Sequence, residues 1–186
     1  ITHVTNGVHI SSYIAPEMVL LFERYLGPEW YFSSRKTENI ERIDEISDEE
    51  LWRAHEMSRA RLVSTVRDRL VEQYGRRNAP TETMQTAENA LDPEVLTIGF
   101  ARRFATYKRA NLILSNGDRL NALVTSKTRP IQFVVAGKAH PQDNEGKELI
   151  KNIIQFAKHY NVRDRIIFLE DYDMGVARHL VQGVDV

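Results

Sequence analysis

The chain has 186 residues and carries 25 Lys and Arg against 26 Asp and Glu, so no overall field recruits nucleic acid. A hydrophobic share of 42% beside 27% charged residues is the ordinary balance of a globular chain with a core, and no apolar run approaches the length of a membrane span. Cysteine is absent, which excludes disulfides and thiolate metal sites and suits a reducing cytoplasm.

Ile1 stands where a first Met would, and Gly183-Val184-Asp185-Val186 reads as the opening of a further buried strand. The chain is therefore expected to be an internal fragment of a longer protein, with no signal-peptide pattern at its start. Pro16 opens a short helix through Met18, Val19, Leu21, Phe22 and Leu26, which Gly27-Pro28 stops. Ser47-Asp48-Glu49-Glu50 is a capping box and predicts a long helix to about Tyr74, ended by Gly75. Leu51, Ala54, Ser58, Leu62, Val66, Leu70 and Tyr74 share one face of it. Arg53, Arg59, Arg67 and Arg69, with Glu56, Asp68 and Glu72, read as a solvated, charge-paired surface. Residues 76–93 read as a polar connector with one helical turn. A boundary is placed there, dividing residues 1–93 from residues 94–186.

From Glu94 onward strand and helix alternate. Strand 95–101 leads to a helix over 103–115 and a second helical piece at 119–125. Strand 131–136 is followed by a loop at 137–143 and an amphipathic helix over 144–160. Strand 165–169, a helix over 174–182 and a strand from 184 complete the pattern. Val, Ile and Phe runs without alternation belong to strands buried on both faces of a parallel sheet. The fold class is thus α/β, a Rossmann-like parallel sheet preceded by a mainly helical segment. No G-x-G-x-x-G follows the first strand, which argues against a dinucleotide site.

The strands deliver their polar residues to one edge. Arg102-Arg103-Phe104-Ala105-Thr106-Tyr107-Lys108-Arg109 places four cations within eight residues, directly after the first strand. Open α/β sheets bind ligands at the carboxyl ends of their strands, and a following helix N-terminus would favour an anion further. Guanidinium and ammonium groups there read as a phosphate site, against the plainer reading of a solvated basic turn. Gly137 and Lys138 follow the second strand, and Glu170, Asp171 and Tyr172 the third.

The stretch Thr97 to Arg109 resembles the phosphate-binding segment of α-glucan (glycogen, starch, maltodextrin) phosphorylases, in their bacterial branch. Thr5-Asn6-Gly7-Val8-His9, Ala136-Gly137-Lys138-Ala139-His140-Pro141 and Phe168-Leu169-Glu170-Asp171-Tyr172 agree in order and spacing. The resemblance implies the C-terminal half of a GT-B type glycosyltransferase for residues 94–186, and the end of the glucan-side domain for residues 1–93. It implies transfer of a glucosyl unit from glycogen or maltodextrin to inorganic phosphate, giving glucose 1-phosphate. It implies pyridoxal phosphate as cofactor, with the Schiff-base lysine outside this chain, so the fragment alone is expected to be inactive and without covalent cofactor. A homodimer is inherited from the same likeness.

Residue by residue, the likeness makes Arg103 and Lys108 the pair that grips the substrate phosphate. Arg102 stands where the motif usually has lysine, near the cofactor phosphate, to which Lys108 and Tyr172 also belong. Asp173 falls where many phosphorylases carry an arginine, which leaves one cation unaccounted for. Asn6, Gly7 and His9 resemble the loop that touches the glucosyl unit. In other members the histidine lies three residues further on, where Ser12 stands here, so a structural hydrogen bond and a sugar contact both remain open for His9. Two other readings compete: a fragment of a sugar-nucleotide-dependent GT-B glycosyltransferase such as a glycogen or starch synthase, and a non-catalytic phosphate-binding module. Tyr107-Lys108-Arg109 and Glu170-Asp171-Tyr172 favour phosphorylase.

Overall fold

The computed structural model describes residues 7, 9–28, 30–31 and 42–186, with Thr106 described in its backbone alone. The apolar runs of the second half form β1 (Leu96–Ala101), β2 (Ile131–Ala136) and β3 (Ile166–Leu169). They pair in parallel in the order β1-β2-β3. Residues 184–186 then cross to the free side of β1. There Gly99 N–H donates to the Val186 carbonyl (2.8 Å) and Asp185 N–H donates to the Thr97 carbonyl (2.9 Å). This is the bonding of another parallel strand, so the chain's direction of travel across the sheet reverses at β1.

Both faces of the sheet are covered, which is why its strands are apolar without alternation. Val134 and Ala136 of β2, with Ile167 and Leu169 of β3, join a core with the long helix. Phe133, Val135 and Ile166 belong to a second core on the other face. The helices are α1 (Ile10–Tyr13), α2 (Pro16–Leu26), α3 (Asp48–Gly75), α4 (Thr81–Glu88), α5 (Gly117–Val124), α6 (Asn144–His159) and α7 (Met174–Gly183). Helices α3, α4 and α7 lie on the first core; α5 and α6 lie on the second.

Helix α3 begins where the capping box places it, the Ser47 hydroxyl accepting from Glu50 N–H at 3.3 Å. Its apolar face is the expected one at Ala54, Ser58, Leu62, Val66 and Leu70, all buried, although Leu51 is exposed. The solvated-surface reading of its arginines is corrected in two places. Arg59 is only 4% exposed. Its Nε donates to the Pro93 carbonyl (2.7 Å), and one terminal nitrogen bonds Asp185 (2.7 Å). Arg67 donates to the carbonyls of Ala90 (2.8 Å) and Leu91 (2.9 Å). Both arginines use their long stems to stitch α3 to the chain that enters β1.

The helix expected over 103–115 does not form. Two 3₁₀ turns, Thr106–Lys108 and Ala110–Leu114, take its place. Arg109 between them is left-handed (φ 53°), a conformation that interrupts a helix. Phe104 and Ala110 on either side are drawn into the second core, and that packing outweighs the helical periodicity. The connector expected to hold a single turn carries the whole of α4. The other helices and strands stand within about two residues of their expected ends.

Candidate functional site

The parallel order places the ends of β1, β2 and β3 at one edge. After Ala101 the chain stays bonded to β2: Arg102 N–H donates to the Ala136 carbonyl (3.2 Å) and Phe104 N–H to that of Lys138 (3.0 Å). This crossing requires glycine at 137. A Cβ there would lie 2.1 Å from the Arg102 carbonyl oxygen and 2.7 Å from the Phe104 ring. Phe104 is buried edge-on against Phe100 and Phe168, each 5.8 Å between ring centroids. With that ring anchored inward, Arg102 and Arg103 before it are exposed.

Helix α6 starts beside the same turn. Asp143 caps it, accepting from Gly146 N–H at 2.8 Å. A Cβ on Gly146 would fall 2.3 Å from the Phe104 carbonyl oxygen. The cation-bearing loop is thus wedged between β2 and α6.

The cations here differ from those of α3. Among the described residues, Arg102, Arg103, Lys108 and Lys138 have no carboxylate partner, and Lys108 lies with its ammonium 4.7 Å from the centre of the Tyr107 ring. At the end of β3 the acidic groups are already taken. Glu170 pairs with Arg77, Asp171 with Arg76 (2.9 Å) and Asp173 with Arg69 (3.4 Å). The positive charge beside β1 and β2 is therefore not cancelled by its acidic neighbours on β3. The helix N-terminus expected directly after β1 is absent, and the 3₁₀ pieces are too short to supply its dipole. The charge of this turn comes from its side chains.

Tyr172 is half-buried against the first core, and its hydroxyl has no hydrogen-bond partner among the described residues. Asp173 is a cap. It accepts from Val176 N–H at 2.8 Å, and that bond, aided by Arg69, holds its carboxyl below the usual range. This gives a structural reason for an acid at that position.

His9 stands at the N-cap of α1, with Nδ1 2.7 Å from the Ser12 hydroxyl. The imidazole and the residue three places on are thus joined. Tyr13 on the same turn donates its hydroxyl to the Met174 sulfur (3.8 Å), at the first residue of α7. Gly7 is exposed with open space around it. Asn6 lies outside the described residues.

Sequence reasoning missed a buried cluster on the strand-entry side. Asp185 binds His55 Nε2 (2.6 Å), Arg59 (2.7 Å) and Thr97 N–H (2.7 Å). Burial works to raise its carboxyl, but the Thr97 N–H, His55 and Arg59 outweigh that and hold it below the usual carboxylate range. Two local signals mark the pair. Arg59 is the one charged member of the buried face it shares with Leu62, Val63 and Val66. Asp185 is a lone charge between Val184 and Val186.

No family model matches the chain. It is 41% identical over 186 residues, all of its length, to glycogen phosphorylase of Aquifex aeolicus, and covers 27% of that protein. It is 42% identical over 183 residues to glycogen phosphorylase of Mycobacterium tuberculosis, covering 98% of this chain and 21% of the relative. Maltodextrin phosphorylase of Thermococcus litoralis is 37% identical over 183 residues, again 98% of this chain and 21% of the relative. The chain belongs with the α-glucan phosphorylases. It spans about a quarter of the length of these relatives. Neither the sugar-nucleotide glycosyltransferase nor the bare phosphate-binding module is favoured by these likenesses.

Proposed function

We propose that the protein containing this chain is an α-1,4-glucan phosphorylase, transferring a glucosyl unit from the non-reducing end of glycogen or maltodextrin to inorganic phosphate. The observation that carries this is the group of cations without carboxylate partners at the end of β1, where the chain reverses across the sheet. Open α/β sheets bind ligands at such a switch point. In this reading Arg103 and Lys108 hold the attacking phosphate. Fixed cations lower the barrier by positioning a dianion against a carbocation-like centre. Asn6, Gly7 and His9 meet the glucosyl unit, with the bond from His9 to Ser12 fixing the imidazole.

Arg102, Lys108 and Tyr172 have the donor chemistry that a second phosphate needs: a guanidinium, an ammonium and a phenol hydroxyl without a partner among the described residues. They fit pyridoxal phosphate, whose phosphate would supply acid–base chemistry when bound. Its Schiff-base lysine is assigned outside these residues. Residues 94–186 then belong to the phosphate and cofactor side, and residues 1–93 to the glucan side with its connecting helix. A cytoplasmic, homodimeric enzyme completes the reading.

In the full-length protein, Arg103→Ala should raise the KM for phosphate far more than that for maltooligosaccharide. Losing one charge-assisted contact corresponds to about 1.5–3 kcal/mol. Steady-state kinetics with each substrate varied in turn checks this, and equal damage to both would count against the assignment.

A further inference from the structure

The last turns of α3 meet the loop that leaves β3. Gln73 is 6% exposed. Its side-chain N–H donates to the Phe168 carbonyl (3.3 Å), and its carbonyl oxygen accepts from Glu170 N–H (2.9 Å). Among the described residues, β3 has no strand on its outer side. A carbonyl and the N–H two residues on are the pair that a neighbouring parallel strand would take. The Gln73 carboxamide therefore stands in for the N–H and C=O of one residue of such a strand.

Around it, Arg77, Arg76 and Arg69 pair with Glu170, Asp171 and Asp173, all near the surface, where ion pairs hold little. Asp171 is left-handed (φ 53°), and this turn returns Tyr172 to the first core. The neutral, buried carboxamide is the tie that fixes where the turn begins.

We propose that Gln73 is a positioning residue for the phosphate-binding edge, acting through the backbone of Glu170 to place Tyr172. The inference rests on the phosphorylase reading above. It assigns to α3, on the helical side of the chain, a part in organising the loop opposite Arg102 and Arg103.

The test uses the full-length enzyme, with wild-type phosphorolysis measured first. Gln73→Leu, which loses both buried hydrogen bonds, should weaken the affinity of the cofactor-free enzyme for pyridoxal phosphate about tenfold, read by fluorescence titration. Gln73→Glu, which keeps the acceptor and loses the donor, should fall between. Val66→Ala, in the same helix and core, should lower Tm while changing the affinity for pyridoxal phosphate less than about twofold. If Gln73→Leu leaves the affinity for pyridoxal phosphate unchanged, or shifts it only as Val66→Ala does, Gln73 is merely structural and the proposal is overturned. A wild-type enzyme with no phosphorolysis would instead overturn the functional reading itself.

Discussion

Asp185 shows how much one carboxylate can hold. It joins His55 and Arg59 of α3 to the Thr97 amide of β1, and so fixes residues 184–186 beside β1. Its carboxyl is held low in the folded chain, so it contributes stability above its unfolded pKa of about 3.9 that is lost as pH falls through the lower folded value. Asp185→Asn should therefore destabilise the protein at neutral pH and flatten the acid limb of its stability curve. Removing one partner leaves Arg59 buried without its counter-charge, which costs about 3–5 kcal/mol. Urea unfolding at a series of pH values from neutral to below about pH 4 reads both effects. An unchanged acid limb would show that the cluster does not govern it.

Between elements, the packing of α3 on α7 is set by a glycine. A Cβ on Gly183 would fall 2.5 Å from the Leu62 Cβ and 2.8 Å from the Ser58 carbonyl oxygen. Gly183→Ala should then destabilise by about 1–3 kcal/mol through overpacking. Leu62→Ala should cost about 2–5 kcal/mol on its own, from a side chain that is almost wholly buried. Leu62→Ala keeps the Cβ at 62 but removes the Cδ2 that would stand 3.2 Å from the added methyl, so the double variant should be somewhat less destabilised than the sum of the singles. Strict additivity in denaturant unfolding would mean that the clash is relieved elsewhere. The element boundaries were largely legible. Strand β2 needed only its apolar run from Phe133 to Ala136, and α3 only its capping box. The stretch 103–115 was not, because the left-handed Arg109 and the inward pull of Phe104 and Ala110 override a helical pattern.

Two cores hold one sheet between them throughout the described fold, and β2 lies at its centre. Amides of β2 around Val134 should exchange with solvent most slowly, and those of α1 quickly, since that turn buries no residue. Hydrogen exchange followed by mass spectrometry checks the order; a β2 that exchanges as fast as α1 would show that the cores do not act as one unit.

Residue order alone dictates the α/β class, the succession of strands and the identity of the cations after β1, because two-sided burial and capping leave their marks in neighbouring positions. The likeness to phosphorylases also pointed to Tyr172 and to the loop of Gly7 and His9. Folding in three dimensions is what brings Arg59 to Asp185, closes the outer side of β3 with Gln73 and returns residues 184–186 beside β1. Those contacts join residues far apart in the chain, and no local pattern of spacing encodes which distant carbonyl or carboxylate a buried polar group will find.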